Sequence, residues 1–545
     1  MLKYKIIVAT ERLESLNISF SSILLLFGTS IFFRTFLENF TNSNNAGFIN
    51  NLIDTFFHYP LWYVCVFLSI ILVLHTLTSK GLRKITKLIA FGSFLILLPP
   101  IIDIVVYGYL GHPYNFIAGD YTTLWRHFSN LLFSTNAVGI GIKIEIIIAT
   151  LGIASYVFMQ TRHIWKSILG GLLTYVAIFF FLSIPVHTMA LFNVFSGDTT
   201  PPIPENVVAF FTPTLDNLGE QQITTDILNT NTAHQQYFSQ KISIVFVLCI
   251  VLLLAATLWV KHKTKFAVLI KNIRPIRLFH WYAFAILGIY FGVHSGLPPP
   301  VINIYFILDL VALCIATTSI WLFSVWDNDE EDIAIDQISN SDRPLVNQAF
   351  SRGEWSSLKK AFLFFGILTS WLAGYYIFTL FLLFLLTYHH YSRKPLRFKR
   401  ILGLSSIAVP LNTLLVFSAG FFIVHPGMQL DILPLRIMLG IFVLYYAMEN
   451  VKNLKDTAGD RASGITTFAV VFGEKTNLYF SLLAIPLIIF SILFLKPPLV
   501  LAIAGSIIAG LAVYFINKKP YRELPVFLLY LVFLVILLVY LWFFT

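Results

Sequence analysis

Long apolar runs recur along almost the whole chain. Each has about 17 to 25 residues, which is the length that an α-helix needs to cross the hydrocarbon core of a bilayer. We count six such runs in the first half of the chain and nine in the second. A backbone surrounded by lipid must satisfy its own hydrogen bonds, and a helix does this within one segment. The sequence therefore predicts an all-α polytopic protein that is integral to the lipid bilayer.

The composition excludes two other classes of protein. Hydrophobic residues make up 57% of the chain and charged residues 12%. Soluble globular proteins have about 25% charged residues, and disordered chains have few apolar residues. The three cysteines, Cys65, Cys249 and Cys314, lie in apolar runs and form no CxxC pair. We therefore expect neither a disulfide framework nor a zinc site.

The net charge of +10 is better explained by membrane orientation than by nucleic-acid binding. If the first span runs from inside to outside, 31 of the 37 lysines and arginines lie on the inner side, as the positive-inside rule requires. This partition predicts a cytosolic N-terminus and, after fifteen spans, an external C-terminus. The absence of a clear targeting segment favours a prokaryotic plasma membrane. The sequence does not indicate an oligomeric state.

Two membrane domains are predicted, separated by a basic cytosolic linker at residues 261–277. Residues 1–260 form a six-span domain of unknown role. Its longest polar insertion, residues 195–240, carries five acidic residues and no lysine or arginine, so we expect an outer loop there. Residues 278–545 form a nine-span domain.

A cluster of acidic residues follows the span that ends at Trp326. Asn328, Asp329, Asp332 and Asp336 form the pattern NDxxDxxxD. On a single helix, residues three or four positions apart share a face, so these side-chain oxygens converge. Hard oxygen ligands favour Mg²⁺, which usually shares a few carboxylates with substrate phosphates. The pattern predicts a site for Mg²⁺ and a diphosphate on the inner side.

A second acidic pair, Asp456 and Asp460, lies in a later loop on the same predicted side, and a basic segment at residues 391–400 lies between the two. Taken alone, an aspartate pair is more often a solvated surface feature, and so is a basic run. Taken together, two acidic clusters suit a diphosphate held between two metal ions. Lysine and arginine could clamp the remaining phosphate oxygens.

These motifs, in this order, resemble those of the UbiA superfamily of intramembrane prenyltransferases. The resemblance covers about residues 270–545 and implies a nine-helix UbiA-type bundle. One departure is Asn453, where many members carry an additional aspartate. The matching segments are residues 273–275, 328–336, 342–345, 391, 399–400, 455–467 and 471–473.

The resemblance implies roles for individual residues. Metal ligands would be Asn328, Asp329, Asp332, Asp336, Asp456 and Asp460. The diphosphate would also contact Asn328, Arg343, Lys399 and Arg400. Catalysis would involve Asp329, Asp332, Asp456, Asp460 and Tyr391, with Tyr391 near the allylic carbon of the substrate.

The predicted activity is Mg²⁺-dependent transfer of an isoprenyl chain from a polyprenyl diphosphate to an acceptor. An aromatic acceptor, as in quinone biosynthesis, is the first choice, and a phosphosugar or lipid acceptor is the alternative. A transporter would instead carry charges near the middle of the membrane on broken helices. A catalytically silent scaffold is the remaining alternative.

Overall fold

The computed structural model describes residues 2–41, 48–107, 116–117, 119, 121–133, 138–196, 230–298, 300, 302–426, 429–452, 454–462 and 464–544. Regular structure in these residues is helical, with no strand among them. The prediction of an all-α membrane fold is confirmed. By its internal contacts the chain divides into two compact units, Met1–Lys261 and His262–Thr545.

The N-terminal unit contains ten α-helices within the described residues. Six segments are long and apolar enough to cross a bilayer: Phe20–Glu38, His58–Thr78, Leu82–Val106, Ile140–Thr161, Ile164–Leu182 and Phe238–Lys261. The ten helices are α1 (Leu2–Ser15), α2 (Phe20–Thr41), α3 (Phe48–Thr78), α4 (Leu82–Gly92), α5 (Leu98–Tyr107), α6 (Tyr121–Asn130), α7 (Ile140–Thr161), α8 (Ile164–Leu182), α9 (Ile184–Ser196) and α10 (Thr230–Lys261).

The predicted outer loop falls largely outside the described residues, because residues 197–229 are not among them. Helix α9 ends at Ser196 and α10 begins at Thr230. Residues 230–240, which the sequence analysis assigned to the loop, are therefore helical. The segment predicted as a linker is also largely helical, since residues 263–272 form the first helix of the C-terminal unit.

The C-terminal unit contains thirteen α-helices within the described residues. They are α11 (Lys263–Asn272), α12 (Pro275–Val293), α13 (Ile304–Glu331), α14 (Ile333–Ser339), α15 (Arg352–Ala373), α16 (Tyr375–Ser392), α17 (Ala408–Val424), α18 (Leu435–Lys452), α19 (Thr457–Ala462), α20 (Phe468–Phe472), α21 (Thr476–Phe490), α22 (Leu499–Asn517) and α23 (Glu523–Phe544).

Nine of these helices are long. Six lie in segments that meet the length and hydropathy expected of a membrane span: Pro275–Val293, Ile304–Glu331, Leu404–Val424, Thr476–Leu495, Leu499–Asn517 and Glu523–Phe544. The other three are α15, with 22 residues, and α16 and α18, with 18 residues each. The fifteen predicted spans thus correspond to twelve candidate spans and these three further long helices.

Local sequence explains where several of these helices begin and end. Helix α15 starts with a capping box, in which Ser351 and Glu354 each bind the other's backbone N–H. This arrangement satisfies two of the donors that every helix N-terminus leaves free. Gly374 then separates α15 from α16 with φ +137°, a conformation that side-chain-bearing residues rarely adopt. Pro275 occupies the first turn of α12, where its missing N–H costs nothing.

The core of the C-terminal unit depends on close contact between α12 and α17. A Cβ atom placed on Gly288 would lie 1.9 Å from the carbonyl oxygen of Phe417, and one on Gly420 would lie 2.0 Å from that of Ala285. The two backbones therefore touch at both glycines, as small residues permit between membrane helices. Phe417 is also part of a buried apolar cluster with Phe284, on α12.

Candidate functional site

The first acidic motif lies where helix α13 ends. The sequence analysis placed residues 328–336 on one helix, but α13 stops at Glu331 and Asp332 has φ −102° and ψ 13°, outside the helical range. The chain then continues as α14. The break is small, because the Asp336 N–H still donates to the Asp332 carbonyl at 2.8 Å. Asn328 Nδ2 also donates to Asp332 Oδ2 at 2.8 Å, so the motif remains compact.

Asp329 is buried and held by two arginines. Arg274 Nη2 donates to Asp329 Oδ2 at 2.5 Å, and Arg343 Nη1 donates to Oδ1 at 3.1 Å. Arg343 Nε also lies 4.0 Å from Asp336 Oδ1. Burial lowers the pKa of Arg274, and the charge of Asp329 opposes that change. These ion pairs and hydrogen bonds offset the free-energy cost of burying a charged carboxylate.

Asp332 is bound by the basic segment that follows α16. Lys399 Nζ donates to Asp332 Oδ1 and, at 3.2 Å, to Asn328 Oδ1. Arg397 Nη2 lies 3.5 Å from Asp332 Oδ1. Lys399 is only 5% exposed, and this burial lowers the pKa of its ammonium group, with Asp332 opposing the shift. Lys399 therefore places a buried cation beside two side chains of the kind that bind metal ions. A phosphate group bound beside them would also contact this cation.

The second acidic pair comes close to the first motif. The short helix α19, which carries Asp460, packs against α14, which carries Asp336. Burial, together with the charges of Asp456 and Asp332, raises the pKa of Asp460 to about 7. Burial and the neighbouring Asp329 likewise raise the pKa of Asp336 to about 7. Carboxylates from two distant parts of the sequence therefore repel each other in one place. The divergent position, residue 453, lies outside the described residues.

The remaining predicted residues differ in their surroundings. Tyr391 is half-buried near the end of α16, with its ring 6.1 Å from that of Tyr388. Arg400 has an exposed side chain, and its carbonyl oxygen accepts a hydrogen bond from Thr466 Oγ1 at 2.7 Å.

Two basic residues at the acidic motif were not among the individual site residues named in the sequence analysis. Arg274 contacts Asp329 and Arg397 contacts Asp332. Arg274 belongs to the Arg-Pro pair that opens α12, and Arg397 lies within the basic segment. Both residues therefore lie in sequence features that could have drawn attention to them, but only the fold shows which carboxylate each one contacts.

A separate ion cluster lies at the C-terminal end of α13, beside the acidic motif. Asp327 accepts hydrogen bonds from Lys359 Nζ at 2.7 Å and from Arg393 Nε at 2.8 Å. Glu330 contacts the same two cations. Lys359 comes from α15 and Arg393 follows α16, so the cluster joins three helices of the unit. We interpret it as structural, because its ion pairs link α13 to α15 and to the residue after α16, and none of its members belongs to the two acidic motifs.

Replacing Lys359 with methionine should destabilise the protein by about 2–3 kcal/mol, because it leaves two carboxylates with one cation in a largely buried cluster. The melting temperature in detergent should fall, whereas the Mg²⁺ requirement of the remaining activity should not change. Lys360→Met is the matched control, since Lys360 is exposed. Equal melting temperatures for the two variants would contradict the structural role of the cluster.

The available donors at the acidic motifs are oxygen atoms, as Mg²⁺ prefers. Within the described residues, no three His, Cys, Asp or Glu side chains are arranged to hold one metal ion. Instead, Asp336 and Asp460 lie among carboxylates that repel them. An added divalent cation would relieve this repulsion, so the donor set fits Mg²⁺ bound by side chains of both motifs together with substrate oxygens.

Comparisons with known proteins give a family match within the C-terminal unit. Residues 281–537 match the model of the UbiA prenyltransferase family. A digeranylgeranylglyceryl phosphate synthase from Korarchaeum cryptofilum is 26% identical over 208 residues, which are 37% of this chain and 69% of that protein. A protein of the same name from Sulfurisphaera tokodaii is 32% identical over 165 residues, 30% of this chain and 58% of that protein.

Among solved structures, a UbiA homolog from Archaeoglobus fulgidus bound to GPP and Mg²⁺ is 20% identical. The match covers 50% of this chain and 96% of that one, with a TM-score of 0.41. The family match lies wholly within the C-terminal unit and leaves the N-terminal unit uncovered. The C-terminal unit of this chain belongs to the UbiA prenyltransferase family.

Proposed function

We propose that the C-terminal unit binds a polyprenyl diphosphate between its two acidic motifs and transfers the prenyl chain to a glyceryl phosphate acceptor. The observation that carries the proposal is the meeting of Asp336 and Asp460, from motifs more than a hundred residues apart in sequence, in one crowded group of carboxylates. Such a group is unfavourable without a cation and suits a diphosphate that brings Mg²⁺ with it.

Each part of the site has a distinct task in this proposal. Mg²⁺ would be held by Asn328, Asp329, Asp332, Asp336, Asp456 and Asp460, and it would neutralise the charge that develops on the departing diphosphate. Lys399 and Arg343 already lie beside these carboxylates. We infer that both side chains also donate hydrogen bonds to phosphate oxygens when substrate binds.

The reaction breaks the bond between the allylic carbon and the diphosphate oxygen, and it forms a bond between that carbon and an acceptor oxygen. The acceptor proton is lost, and the bonding electrons leave with the diphosphate. Positive charge develops on the allylic carbon, which an aromatic face stabilises. Tyr391, half-buried near the acidic motifs, is the aromatic residue that we assign to this task. Surrounding apolar helices keep water away from the carbon.

The choice of acceptor differs from the aromatic one that the sequence favoured. The relatives from Korarchaeum cryptofilum and Sulfurisphaera tokodaii are both named for making digeranylgeranylglyceryl phosphate. Their product name implies a prenylated glyceryl phosphate as acceptor and a geranylgeranyl chain as donor group. We extend this acceptor class to the present chain, which makes the lipid alternative of the sequence analysis the preferred one.

The full chain in liposomes with radiolabelled geranylgeranyl diphosphate should label geranylgeranylglyceryl phosphate at least tenfold faster than 4-hydroxybenzoate or a phosphosugar. EDTA should stop the reaction, and added Mg²⁺ should restore it, because the diphosphate departs poorly without a cation. Labelled lipid is separated by thin-layer chromatography and counted. Faster labelling of 4-hydroxybenzoate would overturn the acceptor alone. No labelling of any acceptor by a folded protein would overturn the transfer itself.

We also propose that both acidic motifs lie on the cytosolic side, with the N-terminus inside and the C-terminus outside. The support is the distribution of lysine and arginine along the sequence. A single cysteine introduced at exposed Lys394 or at exposed Leu430, in a background without native cysteines, tests this orientation. An impermeant maleimide applied to intact cells should label position 430 and not position 394, and the opposite pattern would overturn it.

A further inference from the structure

The N-terminal unit, which lies outside the family match, contains a cavity of about 620 Å³. Its walls come mainly from α2, α3, α4, α7 and α8, and most of the side chains are apolar, such as Phe67, Ile70 and Ile153. A volume of this size is typical of small-molecule sites, which combine apolar walls with a few polar groups. The cavity therefore has room for the body of a lipid-like molecule.

The polar part of the wall is formed by one arginine and two glutamates. Arg34 is only 2% exposed. Its Nε pairs with Glu38, its Nη1 donates to the carbonyl oxygen of Ile96 at 2.5 Å, and the same Nη1 lies 4.0 Å from Glu145 Oε2. Arg34 is thus largely occupied by Glu38 and the backbone. Glu145 also lines the cavity, at a distance from Arg34 that is too long for a hydrogen bond.

Two hydrogen-bonding groups on α3 line the same cavity. Tyr63 is 5% exposed, and its hydroxyl can both donate and accept a hydrogen bond. Trp62 also lines the cavity, and its Nε1 is buried and unpaired. Tyr63, Arg34 and Glu145 line the same cavity. Buried polar groups without partners are rare and costly.

The charge of the wall selects the head group. Two glutamates share one arginine, so these three side chains carry one more carboxylate than cation, and an anionic head would be repelled by the surplus carboxylate in a region of low dielectric constant. A hydroxyl instead donates to Glu145 and accepts from Tyr63 or Trp62. We propose that this cavity binds one amphipathic molecule with an uncharged hydroxyl head and a long apolar chain, either a free long-chain alcohol or a diacylglycerol.

The test uses the full chain in nanodiscs and three diazirine-bearing probes: farnesol, a diacylglycerol and a fatty acid. After irradiation, labelled peptides are identified by mass spectrometry. Saturable labelling of residues 58–70 and 142–159 is expected with one or both hydroxyl probes, and which of them labels identifies the source of the head group. The fatty acid has a similar chain but an anionic head, and it should label these peptides at least tenfold less.

Two glycines allow the cavity to be filled without a clash. Gly92 on α4 and Gly152 on α7 line the cavity, and a Cβ atom on either would meet nothing within 4 Å. Gly92→Phe and Gly152→Phe should each reduce labelling by hydroxyl probes about tenfold. Gly28→Phe is the matched control, because Gly28 also has open space around it but does not line the cavity. It should label as the unchanged chain does.

A smaller substitution tests the head group itself. Tyr63→Phe removes only the hydroxyl and should weaken half-maximal labelling by about 3- to 10-fold, as expected for one hydrogen bond. The proposal is overturned if neither cavity-filling variant reduces labelling, or if the fatty acid labels as strongly as both hydroxyl probes. Prenyl transfer by the C-terminal unit is assayed separately, so either result leaves that proposal unaffected.

Discussion

Asp332→Asn should reduce prenyl transfer by about a hundredfold to a thousandfold, the scale found when a group that stabilises developing charge is removed. The carboxylate is the point where Asn328, Lys399 and the second acidic motif meet. An amide in its place cannot neutralise Mg²⁺, and it leaves the buried ammonium of Lys399 without its main counter-charge. We expect loss of the chemical step, measured by single-turnover transfer of a radiolabelled prenyl chain at saturating substrate.

The control for this variant changes a carboxylate at the same end of α13 that contacts the structural ion cluster and not the candidate diphosphate site. Glu331 is partly exposed and lies 3.5 Å from Arg393, in the structural ion cluster. Glu331→Gln should keep activity within about twofold, since surface ion pairs contribute little. The Mg²⁺ concentration for half-maximal activity should rise for Asp332→Asn and stay constant for Glu331→Gln. If Asp332→Asn retains full activity with an unchanged Mg²⁺ requirement, the assignment of the diphosphate site is wrong.

Gly288→Ala should destabilise the C-terminal unit by about 3 kcal/mol or more, the upper end of the cost of overpacking. The added methyl group would lie 1.9 Å from the carbonyl oxygen of Phe417, so α12 and α17 would have to separate. That separation would loosen the contact of Phe417 with Phe284 and Leu287. The expected result is a clear loss of monodisperse protein after detergent extraction and a fall in melting temperature.

Gly510→Ala provides the comparison for that experiment. Gly510 lies in α22, and a Cβ atom there would meet nothing within 4 Å. Alanine favours helix more than glycine does, so this variant should be as stable as the unchanged chain or slightly more so. Similar melting temperatures for Gly288→Ala and Gly510→Ala would show that the close approach of α12 and α17 is not required.

Sequence reasoning succeeded where the signal is local. The apolar runs predicted helices because the length of a span is set by the bilayer, and the family motifs were recognisable from short spacings. Pairings between distant residues left no such signal. Asp327 and Asp329 are two positions apart, yet the first is neutralised by Lys359 and Arg393 and the second by Arg274 and Arg343.

The break at Asp332 was also beyond prediction. The residues on both sides have ordinary helix-forming spacing, and helix α13 ends next to Asp332, where Lys399 and Arg397 bind the carboxylate. These cations follow the break by more than sixty residues in sequence. A pattern of residue types cannot indicate such a contact, because tertiary structure decides which of several nearby carboxylates each cation reaches.

The contact between Arg274 and Asp329 affects where this chain can be cut for expression in parts. The family match begins at residue 281, and a fragment starting there would lose Arg274, a partner of a buried carboxylate in the candidate site. It would also lose Arg277, which binds Glu523 at the start of α23. The start of the family match therefore lies inside the C-terminal unit and excludes residues that contribute to the candidate site. A fragment that begins at His262, where the compact unit begins, retains both arginines.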